Sequence, residues 1–316
     1  MAVETAIRPA VRVVPRRRPR AGRLVLHGFL IGVCAVWLVP LLWALYEALR
    51  PISDTTRNGY FSMPHQGLSL GNFVTAWTQA DLLHFYANTI LIAVPGVIIT
   101  LLVASMLAFA ITQFSWKFNI LVLMVFTAGN LLPPQVIIIP LYWVYLNTPL
   151  FQLFTIHIPL VNVDLAMLSD NGLVYDQYAG IILIHIVFQM GFATFVLSNY
   201  MKTITREITE SALVDGANVF QIWLRVILPL CRPALAALAT LLFTFIYNDF
   251  FWALILMKSG DKRPIVSALN NLQGEFFTNY NLLAAGALLA AVPSVLVFIA
   301  FQKQFVRGLT LGATKG

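Results

Sequence analysis

Glu210-Ser-Ala-Leu-Val-Asp-Gly-Ala-Asn-Val-Phe-Gln-Ile-Trp-Leu-Arg-Val-Ile-Leu-Pro229 is a polar, turn-bearing stretch set between two long apolar runs. Polar backbone and charged side chains of this kind have to lie in water, so the runs on either side must be the parts that seek lipid. The composition agrees. The chain of 316 residues is 59% hydrophobic and only 10% charged, whereas a soluble domain carries roughly 25% charged residues. Runs of about 20 apolar residues, enough to cross roughly 30 Å of hydrocarbon, fall at 24–49, 88–112, 118–146, 179–198, 233–257 and 282–302. The expected fold is therefore an all-α polytopic membrane protein with six transmembrane helices.

Orientation follows from the basic residues, because cytoplasmic loops collect Lys and Arg. With a cytoplasmic N-terminus, the inside segments hold 15 of the 20 Lys and Arg residues, leaving Arg50, Arg57, Lys258, Lys262 and Arg263 outside. Residues 147–178 carry Asp164, Asp170 and Asp176 and no Lys or Arg, as an external loop should. This sorting gives external loops at 50–87, 147–178 and 258–281, a cytoplasmic loop at 199–232 and a tail at 303–316, with both termini cytoplasmic. Residues 1–23 are basic and lack apolar periodicity, which predicts a disordered arm beside anionic lipid. Nucleic-acid binding is not the expected role. No cleavable signal peptide is expected either, since the first apolar run has spanning length. Cys34 and Cys231 predict no structural disulfide, and the five scattered histidines predict no metal site.

Two spans carry features at odds with a plain helix. The third contains Pro133, Pro134 and Pro140, which remove backbone donors and kink a helix. A bilayer tolerates this where neighbouring helices or a wet cavity satisfy the freed carbonyls. Asn130 and Gln135 beside the prolines would face a translocation path or serve as interhelical hydrogen-bonding groups. The fifth contains Asn248 and Asp249. At 1.5 Å per residue, Asp249 lies about 24 Å beyond Pro233, toward the outer side. It would line a path or be satisfied by packing at a helix terminus. Outside the membrane, Leu70, Phe73, Val74 and Trp77 mark one face of a short amphipathic helix, suited to anchoring at the membrane interface.

The polar stretch reads as a helix hairpin. A helix bearing Glu207 and Glu210 runs into Asp215-Gly216, where glycine supplies the positive φ that closes a helix C-terminus. Asn218 serves as the next N-cap and Gln221 completes a capping box. Val219, Phe220, Trp223, Val226 and Ile227 then share an apolar face, and Pro229 is expected to stop the helix. On pattern alone this is either a contact surface or a hairpin that packs beneath the bundle.

Glu210-Ser-Ala-Leu-Val-Asp215-Gly216-Ala217 with Leu228-Pro229 resembles the coupling-loop signature of binding-protein-dependent ABC importer permeases. Asn88-Thr89, Pro133-Pro134-Gln135 through Tyr142, Asn248-Asp249-Phe250 and the tail Phe305–Gly316 are similar to the carbohydrate branch, in particular the second permease subunit of maltose-type transporters. The resemblance spans residues 24–316. It implies a type I importer bundle with a cytoplasmic coupling-helix hairpin, made by Glu207, Glu210, Ser211, Ala212, Asp215, Gly216, Ala217, Phe220 and Pro229. It also implies a binding-protein contact loop at Gly260, Asp261, Lys262, Arg263 and Pro264, and a tail contact with the ATPase at Thr314, Lys315 and Gly316.

The implied partners are a second, homologous permease, a dimer of cytoplasmic ATPase subunits and an extracytoplasmic sugar-binding protein, in the inner membrane of a bacterium or archaeon. The chain has no G-x-x-x-x-G-K-[ST] loop, so ATP and Mg²⁺ would be bound by the ATPase and the chain is not itself an enzyme. Ser211 replaces the usual alanine of the signature, and 149–177 is longer than is usual in the branch. Residues 264–272 look most like permeases for glucose or mannose, which does not name the sugar. A self-contained secondary transporter using Asp249, or a membrane scaffold binding a partner through 205–229, would be the competing classes.

Overall fold

The computed structural model describes residues 20–114, 117–129, 133–159, 163–272 and 278–310. The chain runs through α1 (Arg20–Leu49), α2 (Ile52–Asn58), α3 (Gly71–Gln79), α4 (Leu82–Gln113), α5 (Asn119–Gly129) and, after a 3₁₀ turn at Pro134–Ile137, α6 (Ile138–Asn147). Strands β1 (Gln152–Ile158) and β2 (Val163–Leu168) precede α7 (Tyr178–Met201) and α8 (Arg206–Val214). Next come α9 (Val219–Gln221), a π-helical segment at Ile222–Ile227, α10 (Leu228–Leu230), α11 (Arg232–Tyr247) and α12 (Phe251–Leu256). Short turns around α13 (Ile265–Ala268) lead to α14 (Tyr280–Thr310).

The centre is the α4–α7 pair. Lipid is as apolar as leucine, so helices in a bilayer are held by close packing rather than by hydrophobic exclusion, and small residues permit the approach. Small residues are well represented among the buried positions: Ala93, Gly96, Thr100, Ala104, Ser105 and Ala108 on α4, and Gly180, Gly191, Ala193, Thr194 and Ser198 on α7. A Cβ on Gly180 would lie 2.3 Å from the Val174 carbonyl oxygen, so only glycine fits there. α11 and α14 pack on the other side of α4. Tyr247 and Tyr86 fasten them by donating to the Ala290 and Leu289 carbonyls at 2.8 and 2.6 Å.

Among the described residues, α1, α4, α7 and α14 are long and apolar enough to cross a membrane, and the count there reaches six if each of two bent pairs is one span. The third span is one such pair and not a single rod. Pro133 is extended at φ −58°, ψ 128°, as a residue preceding proline must be, and the chain restarts as a 3₁₀ turn. The fifth span is also corrected: α11 ends at Tyr247 and α12 starts at Phe251. In addition, α14 continues to Thr310, so most of the expected tail 303–316 is helical. Thr314, Lys315 and Gly316 lie outside the described residues, as does Asn130. The expected amphipathic helix is α3, with Leu70 preceding it as its N-cap residue. Val74 and Trp77 are exposed, whereas Ala76 is buried and Phe73 packs inward.

Outside the helical body, β1 and β2 form an antiparallel hairpin within 147–178, with Thr155 opposite Ala166 and Ile158 opposite Val163. A second feature has no counterpart in the sequence reading. Arg50 is fully buried and donates to Asp54 Oδ2 at 3.0 Å, Ser62 Oγ at 2.9 Å and the Tyr60 carbonyl at 3.1 Å. Asn281 on α14 donates to Glu47 and Thr55, which binds α1, α2 and α14 together. Burial raises the Asp54 carboxyl, but hydrogen bonds from Arg50, Asn58 and the His65 N–H outweigh it and hold the group below the usual carboxylate range.

Candidate functional site

At one end of the bundle, the hairpin forms as its local chemistry dictates. Gly216 has φ +82°. The Gly216 N–H bonds to the Leu213 carbonyl and the Ala217 N–H to the Ala212 carbonyl, both at 3.0 Å. These two bonds make a Schellman closure of α8. Asn218 and Gln221 then cap α9 reciprocally at 2.9 Å. Glu207, Glu210, Ser211, Asp215 and Gly216 are exposed, while Ala212 and Ala217 turn inward against the core. The Ser211 hydroxyl folds back to the Ile208 carbonyl at 3.0 Å, so this departure from alanine adds no outward contact.

Two expectations about the second helix are corrected. Pro229 does not stop it; the helix continues to Leu230 and the chain bends by 78° into α11. Proline has no N–H and its ring crowds the preceding turn. The chain accommodates it by a register shift, with the Leu228 N–H reaching the Trp223 carbonyl across a π-helical turn. That shift changes which residues face inward. Ile222, Trp223 and Ile227 are buried, whereas Val219 and Phe220 are 47% and 58% exposed, with the Phe220 ring beside Trp223. α8 is also tied to the end of α4, where Thr209 donates to Gln113 at 3.0 Å. A cavity of about 200 Å³ lies there between Phe109, Arg206 and Leu213.

At the other end, the loop expected to meet a binding protein is clamped to the bundle. Asn88 is fully buried and donates to the Asp261 and Arg263 carbonyls at 2.6 and 3.1 Å, while its own Oδ1 accepts from Tyr178 at 2.8 Å. Thr89 accepts the Ile265 N–H at 2.8 Å. Ser259 donates its N–H and hydroxyl to Asp176, and Lys262 pairs with Asp170. Burial raises the Asp170 carboxyl, but bonds from Lys262 and Gln177 outweigh it and leave the group below the usual range. Pro264 is buried and Lys262 and Arg263 half-buried, which leaves Gly260 and Asp261 as the exposed tip.

Between these two ends lies the break in the fifth span. Asn248 is exposed and donates to the Thr244 carbonyl at 2.8 Å. Asp249 accepts from the N–H groups of Trp252 and Ala253, and His185 of α7 stands 3.6 Å from its carboxylate. Gln135 is exposed. The sequence reading missed His185, because a lone histidine in an apolar run gives no spacing to read. The available signal was its rarity: ionisable residues within spans are expensive and pair with one another.

Residues 96–311 match the family described as "Binding-protein-dependent transport system inner membrane component". Similar proteins include the arabinooligosaccharides transport system permease of Halalkalibacterium halodurans, 30% identical over 90% of this chain and 93% of that one. The melibiose/raffinose/stachyose import permease of Bacillus subtilis is 27% identical over 95% and 99%. Among solved structures, a bacterial ABC transporter involved in the import of the acidic polysaccharide alginate matches in fold. Its TM-score is 0.70 at 21% identity, over 91% of this chain and 99% of that one.

Proposed function

The chain belongs to the family of inner membrane components of binding-protein-dependent transport systems, and we propose that it is the second permease subunit of an ATP-driven sugar importer. The observation that carries this reading is the hairpin Glu210–Ala217. It is closed by its own hydrogen bonds, exposes Glu210, Asp215 and Gly216, and is joined through the Cys231 elbow to α11. A cytoplasmic ATPase dimer, binding ATP and Mg²⁺, would seat on this surface and pass its closure as a rigid-body motion to α7 and α11. The Asn88 clamp supports the external half of the reading. It presents Gly260 and Asp261 outward on a fixed base, as a loop that meets an extracytoplasmic sugar-binding protein requires.

Sugar is supported as the cargo class by the relatives, which are named for arabino-oligosaccharides, α-glucosides and melibiose. A solved neighbour, described in complex with a periplasmic protein carrying an alginate pentasaccharide, supports the binding-protein contact. The importer reading places both termini in the cytoplasm and requires a second, homologous permease. The test is affinity purification from mild detergent. Reconstituted vesicles are then assayed for ATP-dependent uptake of labelled melibiose, maltose and arabinobiose. Copurification of an ATPase and a second permease, with uptake of one of these sugars, is the expected result. Uptake driven by an ion gradient without ATP would replace this reading with a secondary transporter.

A further inference from the structure

The break between α11 and α12 is held by contacts that are unequal in quality. On its own chain, Asn248 covers the Thr244 carbonyl and Asp249 covers two N–H groups of α12. Across to α7, an aromatic and a polar contact stand among those that fasten α12 and its N-terminal break. Phe188 meets Trp252 with ring centroids 5.0 Å apart. His185 faces Asp249 with side chains only 5% and 9% exposed. The aromatic contact is well made and the polar one is incomplete. His185 Nε2 has no hydrogen-bond partner among the described residues, and its 3.6 Å separation from Asp249 Oδ2 lies beyond the roughly 2.7–3.2 Å of an N–H···O bond.

A buried polar nitrogen beside a carboxylate it does not reach is unfavourable. A shift of α12 by about half an ångström would close the gap. The chain can make that shift at low cost, because residues 248–250 lie outside both helices. Two arrangements of this joint are therefore available, one with the His185–Asp249 bond open and one with it closed. We propose that His185 is a positioning residue for transport, which closes on Asp249 in one state of the transport cycle and thereby sets the place of α12 against α7. This rests on the transport role proposed above.

The test uses the whole assembly in lipid nanodiscs, with spin labels at cysteines introduced for Leu183 on α7 and Leu254 on α12, both exposed. Cys34, also exposed, is replaced by serine; Cys231 is buried and stays. Distances are measured nucleotide-free and after trapping with ATP and vanadate. The unchanged protein is expected to show a distance change between the two states. His185→Leu should reduce the population that moves about tenfold, the size expected for loss of one buried charge-assisted bond. His185→Gln, which keeps a donor, should restore most of it. An equal change in His185→Leu, no restoration by His185→Gln, or no change in the unchanged protein would overturn the proposal. If His185→Leu fails to assemble, Asp249→Asn serves in its place with the same expected loss. Absence of any copurifying ATPase is a separate result, and it counts against the importer role itself.

Discussion

Replacing Gly216 with valine should disconnect ATP hydrolysis from transport while leaving the assembly intact. The backbone at this position has φ +82°, and a Cβ built there meets nothing within 4 Å. The cost is therefore conformational and not steric crowding by neighbours. An L-residue in the left-handed region costs about 1–2 kcal/mol, and a β-branched one sits at the upper end. If the chain instead leaves that conformation, it forfeits the bonds Gly216 to Leu213 and Ala217 to Ala212, at about 1 kcal/mol each. Either route comes to about 2 kcal/mol, or roughly a thirtyfold loss in the ratio of intact to unwound hairpin. Asparagine tolerates the left-handed region, so Gly216→Asn should stay close to the unchanged protein and Gly216→Ala should fall between. The assay is sugar transported per ATP hydrolysed, in vesicles holding the purified assembly. Normal coupling in Gly216→Val, or equal loss in all three variants, would refute the argument from φ.

Removing the clamp with Asn88→Ala takes three hydrogen bonds from the base of the loop at 258–264, a loss of about 2–4 kcal/mol. Trypsin added from outside should then cut at Lys258 or Lys262 at least tenfold faster, and an unchanged cutting rate would show that the loop is held by other contacts. Acid should act on the same face with a definite sign. Asp54 and Asp170 are both held below the usual carboxylate range, so their contribution is complete above about pH 4 and lost only as pH falls through the lowered native values. Thermal stability that already declines between pH 7 and 5 would contradict this assignment. Pro229→Ala supplies the missing N–H, which should let the π-helical turn at Ile222–Ile227 revert to α-helix and rotate Trp223. The check is the tryptophan emission of a variant keeping only that indole, and an unshifted spectrum would mean that proline is not the cause of the turn.

What could be read from the sequence was local. The closure at Gly216 and the Asn218–Gln221 box depend on residues within four positions of one another, and they form as their chemistry requires. The six apolar runs marked the body of the bundle for the same reason. The unread features depend on packing between distant segments. Nothing near His185 in sequence announces Asp249, 64 positions away in the break between α11 and α12. Asn248-Asp249 was legible as a cost within an apolar run, yet the break it makes depends on Asp249 turning to cap α12. Pro229 was legible as a disruption, but whether a proline ends a helix or is absorbed by a π turn depends on the buried seat of Ile222 and Ile227. The strands at 152–158 and 163–168 do carry apolar and β-branched residues of the kind strands use.

These joints divide the bundle into a frame and a moving part. α4 and α7 are continuous over 32 and 24 residues and interlock through residues too small to repack without opening a void. They form the frame. The hairpin touches that frame at Thr209 and Gln113 and continues through the 78° elbow into α11. α11 is helical as far as Tyr247 and then meets the break. On the proposed role, a displacement entering at the hairpin is carried stiffly along α11, since a helix resists axial strain. It is taken up at residues 248–250, between the two helices, where Asn248 and Asp249 keep only turn bonds to the Thr244 and Ile246 carbonyls at 3.2 Å. The contacts that must yield are then those joining α12 to α7, of which the Phe188–Trp252 pair is non-directional and tolerates sliding, whereas His185 and Asp249 are directional and register it. A substitution stiffening the break, such as Phe250→Ala with its gain in helix propensity, should therefore slow transport more than it changes stability, whereas a substitution where α7 packs on Val174 and on Tyr145 of α6, such as Gly180→Ala, should do the reverse.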